Sequence, residues 1–149
     1  MTASIPFEVR EIEIASFHPI VQAQVAGSTI YMILDTGASR TVVSRELVND
    51  LPRMNAPHEE AFAAGINAQQ LKVEQVQIPS IQIGDFPFAN MVVFATDLKA
   101  VSDLYEKMAG IRIDGLLGCD FLESHKAVVD FHKRSILLKT KLLPINQQG

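Results

Sequence analysis

Residues 31–44 read YMILDTGASRTVVS, and the stretch carries its own structural logic. The apolar run Tyr31-Met32-Ile33-Leu34 reads as a strand that ends directly on Asp35. Asp35-Thr36-Gly37-Ala38-Ser39 then forms a loop, followed by the apolar piece Thr41-Val42-Val43 and by Ser44, an N-cap candidate for a short helix through Leu51 that Pro52 stops. A carboxylate at the end of a buried strand sits in a low-dielectric loop, and Gly37 lets backbone N–H groups approach its oxygens, so Asp35 can be held ionised. Thr36 offers a hydroxyl that can brace the loop against a partner, and Ser39 one that can orient the carboxylate by a hydrogen bond. The competing reading of Asp35 is a structural aspartate capping a turn.

Working outward, residues 20–25 and 29–34 read as a hairpin over the turn Ala26-Gly27-Ser28, preceded by a partly alternating stretch at 7–14. Residues 60–78 suit a second hairpin with Gly65-Ile66-Asn67 at its tip. Its returning strand LKVEQVQI, residues 71–78, needs a bulge or register change to bury Leu71, Val73, Val76 and Ile78 together. Further strands follow at 81–83 and 88–94 around a Gly84-Asp85 turn. Residues 97–108 place Leu98, Val101, Leu104, Tyr105 and Met108 at helical spacing, as one core-facing side, with Gly110 at the C-terminal end. Residues 111–117 lead into Gly118, residues 119–124 suit a short helix, and 128–131 with 136–138 form a closing hairpin over HKRS. Many short strands with two or three short helices predict an all-β class.

Composition narrows the function. The chain has 149 residues, 48% of them hydrophobic and 20% charged, which suits a single globular domain over 1–149. A net charge of −4 argues against nucleic acid as a partner, because a grip on phosphates needs a basic face. The basic run His132, Lys133, Arg134, Lys139 and Lys141 reads as a solvated surface. No apolar stretch approaches the ~18 residues of a membrane span, so no membrane partner is expected. The N-terminal stretch carries acidic residues where a signal peptide needs a basic start and an apolar run. One cysteine, Cys119, rules out an intrachain disulfide and makes cytoplasm the default compartment. Cys119 and His125 stand six positions apart and do not share a helix face, which disfavours a thiol hydrolase. The four histidines are scattered, so neither a metal nor another cofactor is expected.

Two blocks of the sequence resemble the aspartic proteases, and within them the small retroviral-type, retropepsin-like family. They are residues 31–44 and IDGLLGCDFLESHKAVVDF at 113–131, and the resemblance extends over about 20–138. It implies a closed-barrel acid-protease fold with one lobe per chain. It also implies that Leu116-Leu117-Gly118 packs beside a catalytic loop carrying Asp35, and that the 60–78 hairpin, with Gly65 and Ile66 at its tip, is a flap over the substrate. The chain departs from the viral enzymes in having one glycine at that tip and a longer insert, including the 97–108 helix, before the second block.

Aspartic proteolysis needs two carboxylates sharing one proton, and Asp35 supplies one. Asp114-Gly115 lacks the hydroxyl residue between aspartate and glycine. The resemblance therefore implies a homodimer contributing Asp35 twice, acting as an endopeptidase on polypeptide. The rival readings are a dimeric peptide-binding module without useful turnover, and a precursor that must lose its N-terminal segment before pairing.

Overall fold

The computed structural model describes residues 3–54 and 73–139. Its strands are β1 (Ala3–Pro6), β2 (Glu8–Glu13), β3 (Ser16–Val25), β4 (Ser28–Leu34), β5 (Val42–Ser44), β6 (Arg53–Met54), β7 (Glu74–Ile83), β8 (Phe86–Thr96), β9 (Gly115–Leu117), β10 (Val128–Asp130) and β11 (Ser135–Leu138). Two α-helices, α1 (Lys99–Ala109) and α2 (Cys119–Ser124), and a 3-10 turn at Arg45–Val48 join them. The proposed hairpin tip at Gly65-Ile66-Asn67 lies outside the described residues.

β3 and β4 meet over a two-residue turn, Ala26 and Gly27, both with positive φ (51° and 83°). That geometry matches the twist of the flanking strands, so Ser28, expected in the turn, instead pairs with Val25. β7 and β8 form the longest ribbon. The break expected after Ile78 does not end the strand: the ladder passes from Ile78↔Met91 to Ser80↔Ala89. It skips Pro79, which has no N–H to give, and Asn90, which takes φ 55°. Val73, Val76 and Ile78 are all buried without the bulge expected among them. The ladder is regular from Glu74 to Ile78, and Val73, just before the strand, joins a separate cluster with Val42, Phe94 and Leu98, while Leu71 lies outside the described residues.

The large sheet runs β2-β3-β4-β9-β5-β8-β7-β6, and an extra pairing of β3 with β7 closes strands β3, β4, β9, β5, β8 and β7 into a ring. Closure removes free edges from those six strands. β9 lies parallel to β4 and antiparallel to β5, and β5 lies parallel to β8. A smaller sheet, β1-β11-β10, shares the barrel's core, since Ile5, Ile136 and Leu138 belong to the same buried cluster as Val21, Ile83 and Leu117. The residues before β3 are thus part of the fold: β1 pairs with β11 and β2 with β3.

Two local expectations are corrected. Ser44 caps no helix: its hydroxyl meets Asp114 Oδ1 at 3.4 Å, and its backbone belongs to β5. On α1, Leu98 and Tyr105 are buried and Val101 half-buried, but Leu104 and Met108 are 53% and 40% exposed. At ~100° per residue these two sit on the trailing edge of the apolar arc, while the leading edge meets Ile20, Ile33, Ile111 and Ile113. No helix among the described residues is long and apolar enough to cross a membrane.

Backbone approach is closest around β9. A Cβ at Gly118 would fall 2.7 Å from the Ala38 and Arg40 carbonyl oxygens, and one at Gly115 would fall 2.8 Å from Val42 O and Met32 Cε. Gly27, by contrast, has open space around it. Gly118→Ala is expected to cost about 3 kcal/mol, lowering the melting temperature by roughly 6–12 °C for a chain of this size. Gly27→Ala, which meets only backbone strain, is expected to cost about 1 kcal/mol. Calorimetry on the two variants checks the order, and equal losses would contradict it.

Candidate active site

Asp35 sits just past β4, where the strand leaves the barrel. Its N–H donates to Leu117 O (3.0 Å), its carbonyl accepts from Ala38 N (3.1 Å), and its Oδ1 accepts from Gly37 N (2.9 Å). A Cβ on Gly37 would stand 3.1 Å from that same oxygen, so the residue that aims an N–H at the carboxylate has little room for a side chain. Asp35 is half-buried, Thr36 and Gly37 are exposed, and Ala38 is buried. Ser39 is exposed and makes no side-chain hydrogen bond among the described residues. The hydrogen bond expected from Ser39 to the carboxylate is therefore replaced by one from the Gly37 backbone.

The second block grips this loop. Leu116 and Leu117 pair with Ile33 and Leu34, and Leu116 also pairs with Val42, so β9 lies between the strands entering and leaving the loop. Gly118 N donates to Thr41 Oγ1 (3.1 Å), Cys119 N to Ala38 O (2.8 Å), and the Cys119 thiol to Thr36 O (3.0 Å). Asp120, at the start of α2, accepts from Thr41 N (3.0 Å), Thr41 Oγ1 (2.7 Å) and Phe121 N (2.8 Å). Thr41 is fully buried, so this carboxylate satisfies both of its donors.

The pair Thr41–Asp120 escaped sequence reasoning, because the two are 79 positions apart. The available signal was a threonine opening an apolar run and an acid two residues past Gly118. His125, the proposed rival partner of Cys119, packs instead against Phe88 and Phe121, with ring centroids 5.2 and 4.7 Å away. Burial pushes the His125 imidazole below its ordinary range.

On the sheet face leading to Asp35, Ile33 pairs with Ile20, and α1 lays Tyr105 over both. Tyr105 Oη lies 2.7 Å from His18 Nδ1, the two rings meeting edge to face at 5.3 Å, and His18 Nε2 lies 3.1 Å from Ser16 Oγ. Burial, and after it the negative charge of Asp35, holds the Tyr105 phenol above its ordinary range.

Asp114 is committed to structure. Its carboxylate takes Arg112 Nε (3.1 Å) and the Ser44 hydroxyl, its N–H donates to Tyr31 O, and its carbonyl accepts from Ser44 N. Among the described residues no group of three or more His, Cys, Asp or Glu side chains is placed to hold a metal ion.

The loop, the strand that crosses beside it and the barrel that carries both have counterparts in known proteins. The sequence profile described as aspartyl protease matches residues 21–121, more than half of the chain, taking in the whole first block and residues 113–121 of the second. Among curated proteins none matches by sequence. The retroviral protease-like domain of Ddi1 from Leishmania major superposes with a TM-score of 0.54 at 11% identity, covering 86% of this chain and 95% of that one. A retropepsin-like aspartic protease from Rickettsia conorii superposes with a TM-score of 0.49 at 20% identity, covering 93% and 90%. At such identities the likeness is one of fold, and the profile match carries the family: this chain belongs to the aspartyl protease family and has a retropepsin-like fold.

Proposed function

We propose that the chain is a single-domain aspartic endopeptidase that works as a homodimer, each copy contributing one Asp35. The observation that carries this reading is the Asp35-Thr36-Gly37 loop itself. Its outer edge is open, its glycine N–H is aimed at the carboxylate, and its backbone is locked from behind by β9 and Asp120. A lone carboxylate cannot both activate water and protonate a carbonyl, whereas two that face each other share one proton. Thr36 and Gly37 are exposed on that open edge, where a second copy would meet them.

In this scheme the ionised Asp35 takes a proton from a water lying between the two carboxylates, and the water oxygen attacks the peptide carbonyl carbon. The protonated Asp35 of the other copy gives its hydrogen bond, and then its proton, to the carbonyl oxygen. The gem-diol collapses as the leaving nitrogen is protonated, with no acyl-enzyme and no metal. The substrate is an extended polypeptide segment lying across the loops. Thr36, Gly37, Ala38 and Ser39 form the supporting loop, and Leu116, Leu117 and Gly118 pack behind it.

The reading as a precursor that must lose its first 19 residues is less well supported. That segment contributes β1, β2 and the buried Ala3, Ile5 and Phe7, so its removal would open the core. A binding module without turnover remains the rival, and it predicts dimerisation and peptide binding without cleavage.

Asp35→Asn is expected to abolish cleavage of an unfolded protein substrate while leaving the dimer mass unchanged in sedimentation equilibrium. A covalent peptidyl-enzyme, or a monomeric wild type that still cleaves, would overturn the two-aspartate scheme. Asp120→Ala strands the two buried Thr41 donors and is expected to cost about 2–4 kcal/mol. It should also lower kcat with KM held, since the loop loosens while the substrate contacts remain. Asp120→Asn keeps one acceptor oxygen and is expected to recover part of both losses.

A further inference from the structure

Where the loop leaves Asp35 for β5 the chain carries an arginine, Arg40. Five residues of chain span at most about 18 Å. An extended peptide lying across Asp35, at ~3.3 Å per residue, therefore comes level with Arg40 within about six residues. Arg40 is exposed, and its guanidinium lies over the Phe94 ring, 5.9 Å from the centroid. Among the described residues it makes no ion pair, unlike Arg10, Arg53 and Arg112.

Arg40 and Asp120, the carboxylate that grips Thr41, line one open cavity of about 540 Å3, within the roughly 300–1,000 Å3 of ligand sites. Most of the lining is apolar, with Phe88, Met91 and Val92 from β8 and Phe121 from α2. Val92 is 37% exposed, a branched apolar side chain left at the surface. His125 adds a ring packed on Phe88 and Phe121. With its imidazole held below the ordinary range by burial, that ring is uncharged at neutral pH. Both oxygens of Asp120 already accept from Thr41 or from the Phe121 N–H. What the cavity offers a ligand is apolar surface and one guanidinium without a carboxylate.

We propose that Arg40 and this cavity select the substrate, the guanidinium taking an acidic side chain and the cavity a bulky apolar one two residues away. The proposal rests on the endopeptidase reading and names its substrate class. A guanidinium has donors only, set in a planar fork that matches a carboxylate, so the preferred side chain is Asp or Glu. Side chains two residues apart share a face of an extended segment, and this spacing brings the apolar neighbour to the same cavity. There it leaves water against Phe88 and Phe121. A lysine or arginine in place of the acid meets like charge.

The test is cleavage of a peptide library by the wild-type chain, Arg40→Met and Arg40→Glu, each sized by sedimentation. Wild-type cuts are expected within about six residues of an acid that stands two positions from Leu, Met or Phe. Arg40→Met is expected to lose at least about fivefold in kcat/KM on those peptides and little on neutral ones. Arg40→Glu is expected to favour Lys or Arg at the acid's position. An acid preference absent from the wild type, or equal in all three, would overturn the proposal. So would loss of the dimer in Arg40→Glu, since the cavity would then be a contact between copies.

A second arm needs no turnover. In the isotope-labelled full chain carrying Asp35→Asn, a decapeptide with a central Glu-Ala-Leu is expected to shift the Arg40 side-chain N–H and the Phe88 and Phe121 ring resonances. Its Lys-Ala-Leu counterpart is expected to bind at least about fivefold more weakly. Equal binding of the two, or shifts confined to other residues, would overturn the proposal. A wild type that cleaves nothing but binds the Glu peptide at Arg40 would refute the endopeptidase reading and keep the recognition site. Cleavage in which Arg40 has no part would do the reverse.

Discussion

The close passage of β9 between β4 and β5 is the constraint on which the rest of the molecule depends. Three residues, Gly115–Leu117, satisfy backbone groups on both neighbours and place Leu117 O where the Asp35 N–H needs an acceptor. The passage is so tight that side chains are absent at Gly115, where the Met32 side chain and the Val42 carbonyl fill the space, and at Gly118, where the backbone at Ala38 and Arg40 fills it. A loop with an exposed outer edge usually has conformational freedom. This one has its inner edge fastened at Asp35 N, Ala38 O, Thr36 O and Thr41. Rigidity is thus supplied from behind, while the front, at Thr36 and Gly37, stays exposed.

Much of this was legible in the sequence because it is local. The strand before Asp35, the glycine two residues on, the αL-capped end of α1 at Gly110 and the boundaries of α2 depend on short-range spacing, and the helix ends as Gly110 predicts. The barrel fold came from the resemblance carried by the two blocks. What the sequence did not display depends on pairings at long separation. Thr41 looks like one more β-branched strand residue, and Asp120 like an ordinary first-turn acid, until the fold brings them within 2.7 Å. Ser39 misled for the same reason. A hydroxyl four positions from a carboxylate is a sound local candidate, yet the backbone N–H of Gly37 is nearer and costs no side-chain entropy to fix. The exposed Leu104 and Met108 show the limit of periodicity: it marks an apolar arc, whereas the width of the surface it rests on is a tertiary fact.

The surroundings of Asp35 divide the electrostatic labour unevenly. Several fixed charges lie in pairs away from the loop, such as Arg112 with Asp114 and Lys99 with Asp103, while Arg40, next to the loop, lies over the Phe94 ring. Asp114, buried in the second block, shares its single arginine with Glu46 and takes no part in gripping the loop. The contacts that hold the Asp35 loop come from backbone N–H groups, a hydroxyl, a thiol and the Asp120 carboxylate.

The small sheet has a consequence for the history of the chain as well as for its final form. Ala3 pairs with Leu138, and Pro6 with Ser135, so β1 finds its partner only after the intervening barrel strands have been made. At ~5–20 residues per second of synthesis, β1 waits on the order of ten seconds for β11 to emerge. Through that interval a strand bearing Ile5 presents an unpaired edge, and the barrel's core lacks one of its covers. The small sheet therefore cannot form until β11 has been made, and this vulnerable period is set by topology rather than by final stability.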